Sequence, residues 1–403
     1  MTKDLFDVRK IIDRYVGIPL LVGTRLFHTF KGSRFGENGH GKEAKKILVV
    51  YLSGIGDTVM LTTCVEAIAK AYPTAHISFL SSSQNHNIVK DNPYLVGCHR
   101  LETTKGVATF FRSLTEIVRN IQCTGYDLVL DFEQFLRLSA IMCLISKAKI
   151  TVGFRTRHQS RHLAYTHTCP FDPSLHTLKN FCRLLDSSGI ATEAKHLTPI
   201  AVTKEDRDLV TDILTEHGIS NKLLLVGIHP GSGGTATSRR WKPDNFGIVA
   251  DRLITDHHAT VVFTGSQKEW TLIEDIRSNM KYRSSSFNLA GKLTLSQLPA
   301  AIQRFSAFVS NDTGPLHIAA AMQVPVVALF GPNTPSRYGP IGRRHQIIYK
   351  SLDCSPCIIA HEGKVPYCRN NRCMREITPE EVCKTIENIL TGHMSHSQRT
   401  YYE

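Results

Sequence analysis

From residue 46 onward the chain alternates strand-length apolar runs with helix-length segments, and it does so in two series. Residues 47–52, 76–80 and 127–131 carry the first series; 223–228, 259–264, 307–310 and 324–330 carry the second. Runs that are apolar throughout belong to strands buried on both faces, which means a parallel sheet with helices on either side. The spacing predicts helices after the Gly-rich turn at 53–58 through Tyr72, and over 205–217, 243–257, 268–280, 295–304 and 378–391. At 403 residues the chain exceeds one ordinary core. The changeover near 195–222 therefore predicts an α/β protein of two domains, 46–200 and 222–391, with residues 1–45 outside both.

No run of about 18 apolar residues is present, so no segment is expected to span a bilayer. No signal peptide is expected either, because the first apolar stretch begins at Val16 and lacks a small-residue cleavage site. Lys and Arg number 48 against 35 Asp and Glu, a formal charge of +13 that favours polyanionic partners. Nucleic acid is excluded as that partner: there is no basic region joined to a zipper, no aromatic RNA-binding signature and no two-Cys, two-His finger. Eleven cysteines, an odd number in a large chain, read as reduced thiols of a cytoplasmic protein. In the arm, Val8, Ile11, Ile12 and Val16 follow helical spacing among Arg9, Lys10 and Arg14. A basic amphipathic arm suits an anionic membrane surface; packing on the protein's own body is the alternative. Residues 35–45 form a polar linker.

Ligands of parallel sheets sit beyond the carboxyl ends of the strands, so the loops there carry the chemistry. The first loop holds Gly54, Gly56 and Asp57. Its glycines permit a tight turn and close backbone approach to a ligand. Val59 stands where a dinucleotide fingerprint needs glycine, and Ser81–Ser83 replace the acidic residue after the second strand, which argues against a nicotinamide or flavin enzyme. Asp57 is either a helix cap or a general base for a hydroxyl. The second loop runs from His229 through Gly231 to Arg239 and Arg240, small residues followed by cations that suit a diphosphate or, alternatively, a solvated basic face. The third reads Ser310-Asn311-Asp312-Thr313-Gly314-Pro315-Leu316-His317 ahead of a small-residue helix. Amides of Thr313, Gly314 and Leu316 would face phosphate oxygens, with Asp312 on sugar hydroxyls and His317 on a phosphate; a helix cap for Asp312 and a satisfied polar side chain for His317 are the alternatives. No Asp-x-Asp pair follows a strand in a metal-holding setting, so the expected reaction needs no cofactor and no divalent ion.

These motifs resemble glycosyltransferase family 9, the ADP-heptose:lipopolysaccharide heptosyltransferases. The resemblance is carried by ILVVYLSGIGDTVMLTTCVEAIAKAYPTAHISFL, IHPGSGGTATSRRWKPDNF, VVFTGSQKE and VSNDTGPLHIAAAMQVPVVALFGPNTP, in that order over about 46–391. It implies a GT-B fold, two Rossmann-like domains with parallel sheets facing across a cleft, acceptor on the N-terminal domain and ADP-sugar on the C-terminal one. It further implies an inverting transfer with Asp57 as the general base, and a donor loop of Asp312, Thr313, Gly314 and His317. Arg239 falls where the family commonly has a phosphate-side lysine, and Glu269 falls near its nucleotide-contacting acidic position. The implied partners are a nucleotide-diphosphate sugar, a phosphorylated glycolipid acceptor and the inner face of the inner membrane. A GT-B-shaped nucleotide-sugar epimerase and a non-catalytic sugar-nucleotide or glycolipid binding protein are the rival readings.

Cys354, Cys357, Cys368 and Cys373 stand apart, spaced x2, x10 and x4. Four thiolates on one structural zinc is one reading. The x10 and x4 gaps match no familiar ribbon, which favours free thiols.

Overall fold

The computed structural model describes residues 44–192, 196–219, 223–233, 237–359 and 370–392, with 19 and 368 as isolated positions. The basic arm expected over 1–45 therefore lies almost wholly outside the described residues.

The chain divides into two compact units, Met1–Ala194 and Lys195–Glu403. The N-terminal unit carries β1 (Lys46–Val50), β2 (His76–Ser82), β3 (Gly97–Leu101), β4 (Leu128–Asp131), β5 (Ile150–Arg155) and β6 (His167–Pro170) in the order β3-β2-β1-β4-β5-β6. The C-terminal unit carries β7 (Leu225–His229), β8 (Thr260–Phe263), β9 (Ser286–Asn288), β10 (Ala307–Asn311), β11 (Val326–Phe330) and β12 (Gln346–Tyr349) in the order β12-β11-β10-β7-β8-β9. Every neighbouring pair is parallel. Counted from its own first strand, each sheet follows the doubly wound order 3-2-1-4-5-6. That order reverses between β1 and β4 in one unit and between β7 and β10 in the other. Loops at such a switch point leave in opposite directions and open a crevice for ligands.

The helices of the N-terminal unit are α1 (Ile55–Ala71), α2 (His86–Val89), α3 (Val107–Thr124), α4 (Arg137–Ser146) and α5 (Thr177–Ser187). Those of the C-terminal unit are α6 (Lys204–Glu216), α7 (Pro243–His257), α8 (Trp270–Ser278), α9 (Leu298–Ile302), α10 (Gly314–Ala321), α11 (Pro335–Tyr338), α12 (Arg372–Arg375) and α13 (Pro379–Leu390). Helix α7 matches the expected 243–257: Pro243 is pre-set for the first turn and His258 ends it in the left-handed region at φ 52°. The expected helix at 268–280 is shorter, because Gln267–Glu269 form a 3-10 turn closed by a reciprocal Ser266/Glu269 capping box. The expected 295–304 contracts to α9.

Each unit has its own core. In the C-terminal unit Val226, Ile228, Val309 and Leu329 of the sheet are buried with Val249 and Leu253 of α7 and Val382 and Ile386 of α13. Trp241, wholly buried, donates its indole N–H to the Ile377 carbonyl at 3.0 Å and lies edge-on to Phe246. It pins the approach to α7 against the start of α13. In the N-terminal unit Leu48, Val50 and Val129 of the sheet share a core with Ile117 and Ile121 of α3 and Ala140 of α4.

Candidate functional site

In the N-terminal unit the loop after β1 leaves at the β1/β4 switch point and turns directly into α1. Gly54 is the N-cap, with φ −62° and no side-chain capping bond. Its conformation does not demand glycine, and a Cβ there would meet nothing within 4 Å. The missing side chain leaves open space over the loop; the expected tight turn is not what requires it. Asp57 stands in the first turn of α1, where the helix dipole favours an anion. The N-cap position belongs to Gly54, and the Asp57 carboxylate accepts the Tyr51 phenol at 2.6 Å.

Three residues that sequence reasoning missed, Tyr51, Asn85 and Glu133, hold this loop. Asn85, fully buried, accepts the Ser82 amide at 2.8 Å and donates to the Tyr51 carbonyl at 3.1 Å and to Thr58 Oγ1 at 2.8 Å. It thereby ties the ends of β1 and β2 to the first turn of α1. Glu133, just past β4, accepts the Leu52 amide at 2.9 Å. Burial pushes its carboxyl up to about 7, against the opposing pull of Ser53 and Arg161, with Asp131 adding to the rise. Behind it Arg161, with no exposure, bonds Asp131 Oδ2 at 2.8 Å and the Tyr165 hydroxyl at 2.8 Å, and its guanidinium also donates to the Glu133 carbonyl. Tyr51 and Asn85 sit among apolar or serine-rich residues that gave no signal in the sequence. Glu133 had one, a charged residue two places beyond a buried strand.

In the C-terminal unit the switch point lies between β7 and β10, and Asn311 spans it. Its side chain accepts the Trp241 amide at 3.1 Å and donates to the Pro230 and Gly231 carbonyls at 2.9 and 3.0 Å. Asp312 follows. Its Oδ2 accepts Asn333 at 2.8 Å and faces Arg239 Nη1 at 3.5 Å, while Arg239 Nη1 also reaches the Asp312 carbonyl at 3.3 Å. The alternative of a solvated basic face does not hold for Arg239, which pairs with Asp312. Thr313 caps α10 without a side-chain bond and Gly314 begins it, so the first-turn amides of α10 have no acceptor within the helix. His317, 4% exposed, lies in the second turn. Burial lowers its imidazole to about 4, with Asp312 pulling the other way, so it is neutral near pH 7. Among the described residues the buried Ser232 Oγ, Arg239 Nε, His317 Nδ1 and Asn333 Oδ1 have no hydrogen-bond partner. Arg239 pairs with Asp312, Asn333 donates to it and His317 feels its charge, so three of these atoms gather at one carboxylate and mark a polar cradle, since buried polar groups are ordinarily satisfied.

Glu269 is drawn to the same loop. Its Oε2 accepts the Ser266 amide and hydroxyl, both at 2.8 Å, and a Cβ on Gly231 would lie 1.9 Å from its Oε1. Any side chain at 231 would have to displace this carboxylate from its place against the loop. Burial opposes ionisation of Glu269, but His229 and the Ser266 bonds outweigh it and its carboxyl titrates below the usual range.

The predicted residues therefore fall into two groups: Gly54, Gly56 and Asp57 at one switch point, and Gly231, Arg239, Glu269, Asp312, Thr313, Gly314 and His317 at the other. The cysteines belong to neither. Burial, then the neighbouring Cys357, Cys368 and Cys354 thiols, pushes Cys373 up to about 11. Among the described residues no group of three or more His, Cys, Asp or Glu is placed to hold a metal ion.

The sequence profile described as glycosyltransferase family 9 (heptosyltransferase) matches residues 114–365. The chain belongs to glycosyltransferase family 9. It is 25% identical over 310 residues to the lipopolysaccharide core heptosyltransferase OpsX of Haemophilus influenzae, covering 75% of this chain and 84% of that one. It is 24% identical to lipopolysaccharide heptosyltransferase 3 of Escherichia coli, covering 68% and 79%. Among solved structures, a family 9 glycosyltransferase from Veillonella parvula superposes with a TM-score of 0.74 at 24% identity, over 86% of this chain and 97% of that one. The ADP-heptose lipopolysaccharide heptosyltransferase II of E. coli gives 0.67 at 21%, over 87% and 100%. These likenesses show the GT-B fold. Family membership makes this chain a glycosyltransferase and sets the epimerase and binding-protein readings aside.

Proposed function

We propose that this family 9 enzyme transfers a heptose from ADP-heptose to the phosphorylated core of a lipopolysaccharide-like glycolipid, with inversion and in a single displacement. One observation carries the reading: a carboxylate, Asp57, is held at the switch point of one sheet, while the other sheet's switch point holds a polar cradle built on Arg239, Asp312 and the head of α10. The named relatives act on lipopolysaccharide, and E. coli WaaC has been solved with ADP and with a fluorinated ADP-heptose analogue, which supports the donor and acceptor classes.

Asp57 takes the proton of an acceptor hydroxyl, that oxygen bonds to the anomeric carbon, and the bond from carbon to the phosphate oxygen breaks with its electron pair leaving on ADP. The N-terminal unit serves the acceptor and the C-terminal unit the donor. Arg239, the Thr313 and Gly314 amides and the neutral imidazole N–H of His317 stabilise charge on the leaving diphosphate. Asp312 and Glu269 accept sugar and nucleoside hydroxyls. The side chains and helix dipole do this without a divalent ion, and the C-terminal cysteines act as thiols, not as a zinc site. The protein works at the cytoplasmic face of the inner membrane, held there by its basic arm.

The test is ADP release from ADP-heptose in excess EDTA, with and without deacylated lipopolysaccharide core, for the wild type and Asp57→Ala. Acceptor-dependent release that falls about 100- to 10,000-fold in a still-folded Asp57→Ala protein is the expected result, the range a general base contributes. Undiminished release from Asp57→Ala removes the base assignment. Activity restored only by Mg²⁺ or Mn²⁺ removes the metal-free mechanism.

A further inference from the structure

We infer that Tyr51 is the positioning residue of the transfer reaction, setting the carboxylate of Asp57 in its working orientation; the inference rests on the assignment of Asp57 as the base. Asp57 lies in the first turn of a helix whose N-cap residue offers no side chain to the orphan amides. A carboxylate there has a competing occupation, since it can fold back onto those amides as a cap does. The phenol of Tyr51, donating to Oδ2 at 2.6 Å, gives it a fixed partner on another element. A bond this short to a carboxylate is charge-assisted and directional. A carboxylate offers about four acceptor sites, so the phenol can orient its plane and leave room for other donors.

Tyr51 is itself immobilised. It is 2% exposed, its amide donates to the Leu80 carbonyl at 3.0 Å, and its carbonyl accepts Asn85 at 3.1 Å. Its ring meets Phe181 of α5 edge-on, with centroids 5.8 Å apart, and Phe181 in turn meets Phe132 at 5.4 Å. Asn85 also holds Thr58, the neighbour of Asp57. One buried amide therefore fixes both the donor's backbone and the acceptor's helix turn, and the Tyr51–Asp57 bond closes the loop between them. In the reaction the acceptor proton passes to Asp57 and the phenol keeps its own.

The experiment is Tyr51→Phe, which removes one oxygen and leaves the ring on Phe181. With acceptor-dependent ADP release as the readout, kcat falls about 10–100-fold, the scale of a misplaced reacting group. The donor KM, which reads the C-terminal cradle, stays at the wild-type value, and the protein stays folded, its thermal midpoint lowered only by what the loss of one charge-assisted hydrogen bond costs. In an Asp57→Ala background the same change has no further effect. A Tyr51→Phe enzyme with full kcat, beside an inactive Asp57→Ala, overturns the role of Tyr51 and leaves the base in place. A loss that persists undiminished in the Asp57→Ala background also overturns it, because Tyr51 then acts elsewhere. An active Asp57→Ala removes the base and this inference with it.

Discussion

Glu133 is 1% exposed and its carboxyl titrates near 7, burial being the largest cause. Unfolded, a glutamate titrates near 4.3. Between those values the folded chain holds a proton that the unfolded chain has lost, so stability falls as pH rises through this window. Glu133→Gln keeps an oxygen for the Leu52 amide and removes the titration. Chemical denaturation at pH 5 and pH 8 is expected to show the wild type losing on the order of 3 kcal/mol more than Glu133→Gln between the two values. Equal losses would mean that Glu133 titrates normally. The side chain holds the backbone at Leu52, immediately before the loop that carries Asp57.

At the scale of elements, what the sequence disclosed depended on burial. The central strands β1, β2, β4, β7, β8, β10 and β11 announce themselves as apolar runs because helices cover both their faces. The four strands that went unread at the sheet edges, β3, β6, β9 and β12, are short, and β3 (GCHRL) and β9 (SFN) are largely polar. An edge strand has one partner and less cover, so it can be short and polar. β5 was hidden by Gly153, where a Cβ would lie 2.3 Å from the Tyr165 ring. The residues proposed for the site, such as Asp57, Asp312 and His317, could be picked out where a reactive side chain follows a readable strand. Its supports, Tyr51, Asn85 and Glu133, were not, because a hydrogen bond between strand ends has no local spacing. Asn311 shows what such a support is worth. Asn311→Ala leaves the Trp241 amide and the Pro230 and Gly231 carbonyls without their buried partner, at a cost of about 2–4 kcal/mol. Asn311→Asp keeps an acceptor for Trp241 but sets a carboxylate oxygen against two carbonyls. Urea unfolding should find the isosteric aspartate at least as damaging as alanine; a near-neutral aspartate would show that the two carbonyl contacts contribute little.

For the molecule as a whole the governing quantities are a formal charge of +13 and a family whose named relatives act on lipopolysaccharide. Among the described residues no helix is long and apolar enough to cross a membrane; attraction of the positive charge to an anionic surface is the proposed means of meeting an amphipathic acceptor. Such attraction has two signatures. It weakens with salt, because screening lengths shrink from about 10 Å at 0.1 M to about 3 Å at 1 M. It also scales with basic residues near the surface, at about 1 kcal/mol each. Full-length protein is expected to sediment with phosphatidylglycerol vesicles at low salt, to stay in solution with phosphatidylcholine, and to dissociate as salt rises. A chain starting at Ala44 should lose most of this binding while keeping its ADP release on a soluble deacylated core, since Asp57 and the Arg239–Asp312 cradle all lie beyond that point. Vesicle binding by the shortened chain would move the contact onto the body of the protein. Indifference of the full-length protein to anionic vesicles at low salt would end the membrane reading and leave the transferase reading intact.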